Sequence, residues 1–177
     1  MNGVVVHAER RLDFAAHVAA VVIGSGIKSR DVAQDAARLG QIRLDPKRQL
    51  VASQCSGALP LAVLGLLYDL AVCTDPNTRT WLTEAGIPVI DQPFYAKGNI
   101  ATADGRLASV CLARWIILHV GSWGDVVTAL RRVALIGQQT KYTGRAIEAV
   151  EPYLPGSDLG PRPDPCNPSR RTDHADR

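Results

Sequence analysis

Leu50-Val51-Ala52-Ser53-Gln54-Cys55-Ser56-Gly57-Ala58 runs from a strand through a cysteine and three small residues into a helix, the order of an α/β fold. Residues 49–54, with Leu50, Val51 and Ala52 at their centre, read as a short buried strand. Three small residues follow the cysteine and lead into a strongly apolar helical stretch over 56–67. A sharp strand-to-helix turn lifts its side chain above the C-terminal edge of the sheet, where open α/β folds bind ligands. Small residues at 56–58 let the helix start close to the sheet. The positive end of that helix favours a thiolate and is expected to lower the thiol pKa. The Ser56 amide would then lie near the sulfur as an oxyanion donor.

Upstream, residues 18–23 are a continuous apolar run rich in β-branched residues, which suits a strand buried on both faces of a parallel sheet. It stops at Gly24-Ser25-Gly26. In a parallel sheet this loop would flank Cys55, so Ser25 and Gly26 are expected to supply a second backbone donor to the same pocket. Ser29 is placed as the cap of a helix over 30–39 that Gly40 ends. The loop is too short for a P-loop and lacks GxGxxG, so nucleotide binding is not expected.

Downstream, the pattern predicts a third strand over 70–73. Asp75 follows as a helix cap with Pro76 at the first helical position, and Gly86 closes that helix. A fourth strand is expected over 87–90, and extended segments over 93–101 joined around Gly98-Asn99. A long apolar helix over 106–120 comes next, then one begun by the Ser122/Asp125 capping box and reaching Leu135, and a last one over 142–151. Strands alternating with helices imply βαβ crossovers and a mainly parallel sheet covered by helices.

The chain of 177 residues is 46% hydrophobic, enough for one sizeable core. Residues 1–154 are read as that domain, and residues 155–177, rich in proline and charge, as a disordered tail holding Cys166 and His174. A net charge of +3 with scattered basic residues argues against nucleic-acid binding. No apolar run reaches the roughly 18 residues of a membrane span, and no signal-peptide plan opens the chain. The four cysteines form no CxxC and no Cys/His cluster, so neither a metal site nor a disulfide framework is expected. Reduced cysteines in a cytoplasmic protein fit best. Cys73 and Cys111 lie inside apolar runs and read as core.

Gln54-Cys55-Ser56-Gly57-Ala58, with Leu64-Gly65-Leu66-Leu67 behind it, resembles the cysteine turn of the ThiJ/PfpI family, within the class I glutamine-amidotransferase-like clan. The likeness continues through Ala71-Val72-Cys73-Thr74-Asp75, Asp91-Gln92-Pro93-Phe94 and Gly98-Asn99-Ile100-Ala101-Thr102-Ala103. It runs on through Leu107-Ala108-Ser109 and Trp115 to residues 131–137, and covers residues 1–154. The resemblance implies a flavodoxin-like sandwich, commonly a homodimer, with Cys55 as a reactive cysteine and oxyanion donors from the glycine loop and from Ser56. It implies no cofactor and a small-molecule substrate. Family activities include isocyanide hydration, glyoxalase or deglycase chemistry and peptidase assignments. Hydration of an isocyanide- or carbonyl-type substrate is the most specific expectation.

Three departures accompany the resemblance. The family's opening strand-helix-strand unit, which supplies an acid beside the cysteine, finds no counterpart in the 17 residues before the first strand. The expectation is therefore an N-terminally truncated sandwich, or a start downstream of the true one, with Glu9 and Asp13 as surface charges. Many relatives carry a histidine after a threonine near Thr74, where this chain has Asp75. Gln54, Thr74 and Asp75 are kept as pocket residues, the helix cap being the favoured role of Asp75. Asp104-Gly105 replaces a common pair of glycines. His7, His17 and His119 have no motif support, which also disfavours a glutaminase. The alternative to an enzyme is a degenerate member that binds a ligand or senses oxidation.

Overall fold

The computed structural model describes residues 5–154 of the chain. The expected tail, with Cys166 and His174, lies outside the described residues. Four strands form one sheet in the order β1-β2-β4-β3: β1 Ala20–Ile23, β2 Leu50–Gln54, β3 Phe94–Lys97 and β4 Ile100–Ala103. β1 and β4 run parallel to β2, Val21 pairing with Val51 and Ala52 with Ala101. β3 is antiparallel to β4 across a two-residue turn, where Gly98 adopts φ +58°. A positive φ at the first turn position suits the right-handed twist of a hairpin, and glycine takes it at no steric cost.

Helices cover both faces. They are α1 Ser29–Gln34, α2 Ala36–Leu39, α3 Ala58–Val63, α4 Pro76–Glu84, α5 Ser109–Val120, α6 Trp123–Val133 and α7 Gln139–Val150. Side-chain alternation along β2 divides the core. Val51 packs with Ala33, Leu59, Leu61 and Leu82 on one face. Leu50 and Ala52 pack with Phe94, Ala101, Leu112 and Trp115 on the other. The double-sided burial expected of the 18–23 run belongs instead to β2, whereas β1 is an edge strand with Val22 exposed and its other residues half-buried. Helices α5 to α7 bury a further layer around Leu118, Val126 and Ile147. The α/β sandwich with a mainly parallel sheet is as expected.

Several element boundaries differ from the expectations, each for a local reason. The helix anticipated over 30–39 is two pieces, because Asp35 leaves helical geometry (φ −87°, ψ 85°) and its carboxylate caps the Arg38 amide. Ser29 begins α1 rather than capping it, since its hydroxyl is drawn to the Gly26 carbonyl and to Ser56. The helix anticipated over 56–67 stops at Val63. Gly65 (φ +77°) closes it in a Schellman motif, its amide reaching Ala62 O and the Leu66 amide reaching Leu61 O. The strands anticipated over 70–73 and 87–90 reduce to one parallel bridge, Val72 with Val89. Pro88 has no amide to extend the ladder, and the Cys73 amide is taken by the Thr102 hydroxyl at 2.9 Å. The Ser122/Asp125 capping box forms as expected, and its helix ends at Val133.

Among the described residues no helix is long and apolar enough to cross a membrane. No three His, Cys, Asp or Glu side chains among them are grouped as a metal ion would require.

Candidate functional site

β2 delivers Cys55 at the C-terminal edge of the sheet, next to the loop that leaves β1. Cys55 has φ +55°, and among the described residues it is the one non-glycine in the left-handed region. A side-chain-bearing residue there costs roughly 1–2 kcal/mol, and such strain gathers at functional sites. The chain then makes a single 3-10 turn, Cys55–Gly57, before α3. Thr74, buried ahead of α4, locks the turn by donating its hydroxyl to the Cys55 carbonyl at 2.9 Å.

Gly57 lets the turn sit against β1. A Cβ there would lie 2.0 Å from the Ile23 carbonyl oxygen and 2.8 Å from its carbon. This close approach brings the 24–26 loop onto the cysteine turn, where three hydroxyls converge. Ser56 Oγ lies 3.2 Å from Ser25 Oγ and 2.9 Å from Ser29 Oγ. The Gly26 amide, expected to serve as an oxyanion donor, instead donates to the hydroxyls of Ser29 (3.2 Å) and Ser56 (3.3 Å). The donors that face the Cys55 sulfur are the Ser25 hydroxyl and the Ser56 amide.

Asp75 stands opposite. One carboxylate oxygen, Oδ1, accepts the Asn77 and Thr78 amides at 3.0 and 3.1 Å, which is the expected cap of α4. The other, Oδ2, accepts the Cys55 thiol at 3.3 Å. The two roles use separate oxygens, so the cap and the contact with sulfur coexist. Burial alone would raise the Asp75 pKa, but the hydrogen bonds from Thr78, the Cys55 thiol and the Asn77 amide outweigh it and hold the carboxyl below its usual range.

Cys55 moves the other way. Partial burial pushes its thiol up, the Ser25 hydroxyl and Ser56 amide pull it down, and Asp75 adds to the rise by accepting the proton and by its charge. The expectation that a helix end lowers this pKa is therefore corrected. Only a 3-10 turn and the six-residue α3 follow the cysteine, and the carboxylate beside the sulfur holds the proton on it. The resting pair is a thiol bonded to a carboxylate.

The sulfur opens into a cavity of about 490 Å³. Ser25, Gly26, Ser56 and Asp75, anticipated from sequence, line it together with Cys55. Gln54 and Thr74 stand behind it: Gln54 donates to the Asp104 carbonyl at 3.1 Å and ties β2 to the loop after β4. Sequence reasoning did not find Ser29, Arg30, Trp81 and Arg106, which also line the cavity. Cys73 and Cys111 are buried in the core, and burial pushes Cys73 up to about 12.

The positive φ carries its own prediction. Cys55→Gly removes the left-handed strain, and Cys55→Ala retains it. The glycine variant is expected to be more stable than the alanine variant by about 1 kcal/mol, measured by urea denaturation. Equal stabilities would mean that the turn relaxes without its side chain.

No family model matches the sequence, and no curated protein matches it. Solved structures do. A two-domain protein from Anabaena variabilis with DJ-1/ThiJ/PfpI-like and ferritin-like domains is 18% identical, with a TM-score of 0.58 over 75% of this chain and 37% of that one. A ThiJ/PfpI family protein from Pseudomonas syringae is 19% identical, with a TM-score of 0.52 over 81% of this chain and 54% of that one. Schizosaccharomyces pombe DJ-1 is 16% identical over 82% of this chain and 68% of its own, with a TM-score of 0.48. The chain thus spans about a third to a half of the first two structures, and what it shares with them is the fold. The α/β sandwich of this protein is the fold of the DJ-1/ThiJ/PfpI proteins.

Proposed function

We propose that this chain is a DJ-1/ThiJ/PfpI protein in which Cys55 attacks a small electrophilic carbon, with hydration of an isocyanide- or carbonyl-type substrate as the reaction. The observation that carries the reading is the Cys55 thiol at φ +55°, bonded to Asp75 Oδ2 at 3.3 Å and open to a cavity. The family resemblance of the cysteine turn supports it, as does the fold shared with the ThiJ/PfpI structures.

The proton on Cys55 already rests in a hydrogen bond to a carboxylate that is ionised at neutral pH. A substrate entering the cavity displaces water and lets that proton pass to Asp75 as sulfur attacks. With an isocyanide, an S–C bond forms at the terminal carbon, and Asp75 returns the proton to that carbon, giving a thioimidate. Water then adds across the C=N bond, its oxygen to carbon and one proton to nitrogen. The C–S bond breaks, the remaining hydroxyl proton returns through Asp75 to sulfur, and a formamide leaves. The Ser25 hydroxyl and Ser56 amide, which face the sulfur in the resting protein, steady the thiolate whenever it forms. No cofactor takes part in this scheme. A homodimer belongs to the same reading: β1 is an edge strand with Val22 exposed, and a second copy would cover it.

Formamide production from small aliphatic isocyanides, and loss of α-oxoaldehydes, test the proposal directly. Turnover is expected in the native chain and not in Cys55→Ser. Turnover that survives this substitution undiminished refutes the reading.

A further inference from the structure

The wall of the Cys55 cavity carries more positive charge than thiol chemistry needs. Arg30 from α1 and Arg106 from the turn after β4 both line it, against one acid, Asp75. Neither arginine belongs to an ion pair among the described residues, where the pairs join Arg11 to Asp13, Arg38 to Asp35 and Arg79 to Asp91. Asp75 forms an ion pair with neither, its oxygens accepting from the α4 amides and the thiol, and its single negative charge leaves the lining with one positive charge in excess. Arg30 is also held in place: its guanidinium carbon sits 4.8 Å from the centre of the Trp81 ring, on the same cavity wall. A guanidinium stacked on an indole keeps its N–H edge available while losing little further rotamer freedom on binding. The hydroxyls of Ser25 and Ser56 add neutral polar groups to the same lining.

We propose that this cavity selects anionic substrates, a carboxylate on the small molecule being bound by Arg30 and Arg106 while its electrophilic carbon meets Cys55. The inference deepens the function proposed above and rests on Cys55 being the group the ligand meets. A guanidinium matches a carboxylate in planar, two-point geometry, so the charge would orient the substrate as well as attract it. Attraction at an exposed cavity mouth is screened by salt, and the preference should weaken as ionic strength rises.

Iodoacetate and iodoacetamide alkylate the same sulfur and differ in charge, so the ratio of their rate constants at Cys55 reads the selectivity. The ratio in the folded protein is expected to exceed that of the same cysteine in the urea-unfolded chain several-fold. It should fall towards the unfolded value in Arg30→Gln, in Arg106→Gln and in high salt, with the iodoacetamide rate little changed. A folded ratio no higher than the unfolded one, or one that both substitutions leave intact, overturns the proposal. The neutral reagent keeps the two readings apart: a Cys55 inert to iodoacetamide counts against the thiol chemistry. Binding is then read without the thiol, by titrating Cys55→Ser with sodium acetate against sodium chloride at equal ionic strength. Saturable shifts of the Gly26 and Ser56 amide resonances, lost in the Arg106→Gln background, support the anion site. Their absence, or their persistence in that background, refutes it.

Discussion

Gly57→Ala is expected to destabilise the protein by about 3 kcal/mol or more. The added methyl would sit 2.0 Å from the Ile23 carbonyl oxygen and 3.1 Å from that of Gly24. Both obstacles are backbone, one of them the end of a paired strand, so neither can swing aside like a side chain. Relief requires β1 and the cysteine turn to move apart, which also opens the hydroxyl cluster of Ser25, Ser29 and Ser56. Urea denaturation gives the loss, and the midpoint should fall with little change in slope. Gly24→Ala is the control: a Cβ at that position meets nothing within 4 Å, and it should cost far less. Similar losses for both would show that the turn does not depend on the close approach at Gly57.

Asp75→Asn should separate reactivity from turnover. Asparagine caps a helix about as well as aspartate, so α4 should remain, and the stability lost at neutral pH should be only the part that the ionised carboxylate supplies. Loss of the charge removes two of the influences that raise the Cys55 thiol, its proton acceptor and its like-charge neighbour. The thiol pKa then falls, and alkylation at pH 7 should speed up several-fold. Hydration should slow by about a hundredfold, because no carboxylate remains to carry the proton. Acid stability should respond as well. A carboxyl held below its usual range stabilises the fold above that range, and the contribution is lost as pH falls through its folded value. The asparagine variant should lack this component of acid unfolding. Slower alkylation together with unchanged turnover would remove Asp75 from the proposed mechanism.

Much of the site was legible because its signals are local. A strand run ending in Cys55 and three small residues announces a turn, Asp75-Pro76 announces a helix start, and Gly98 announces a hairpin. The capping box at Ser122 needs four residues to be recognised. What escaped depends on distance in space. The second role of Asp75 exists because the positive φ at Cys55 aims the sulfur across 20 residues of sequence at Oδ2. Arg30 and Trp81 meet across 51 positions, and nothing near either marks the encounter. The strands read at 70–73 and 87–90 had the right composition, but Pro88 withholds a donor and the Thr102 side chain captures the Cys73 amide. Composition cannot show where a backbone group finds its partner.

The proposed function requires the turn after β2 to present a reactive thiol at Cys55 beside core cysteines that are inert. Its most direct test is a native-state alkylation time course with iodoacetamide at neutral pH, resolved by peptide mass spectrometry. Cys55 is expected to be modified well ahead of Cys73 and Cys111, because it opens into the cavity while they are buried and the Cys73 thiol is pushed up to about 12. Both core cysteines should react only once the protein unfolds. Modification of Cys73 or Cys111 at a rate equal to or above that of Cys55 would contradict the account.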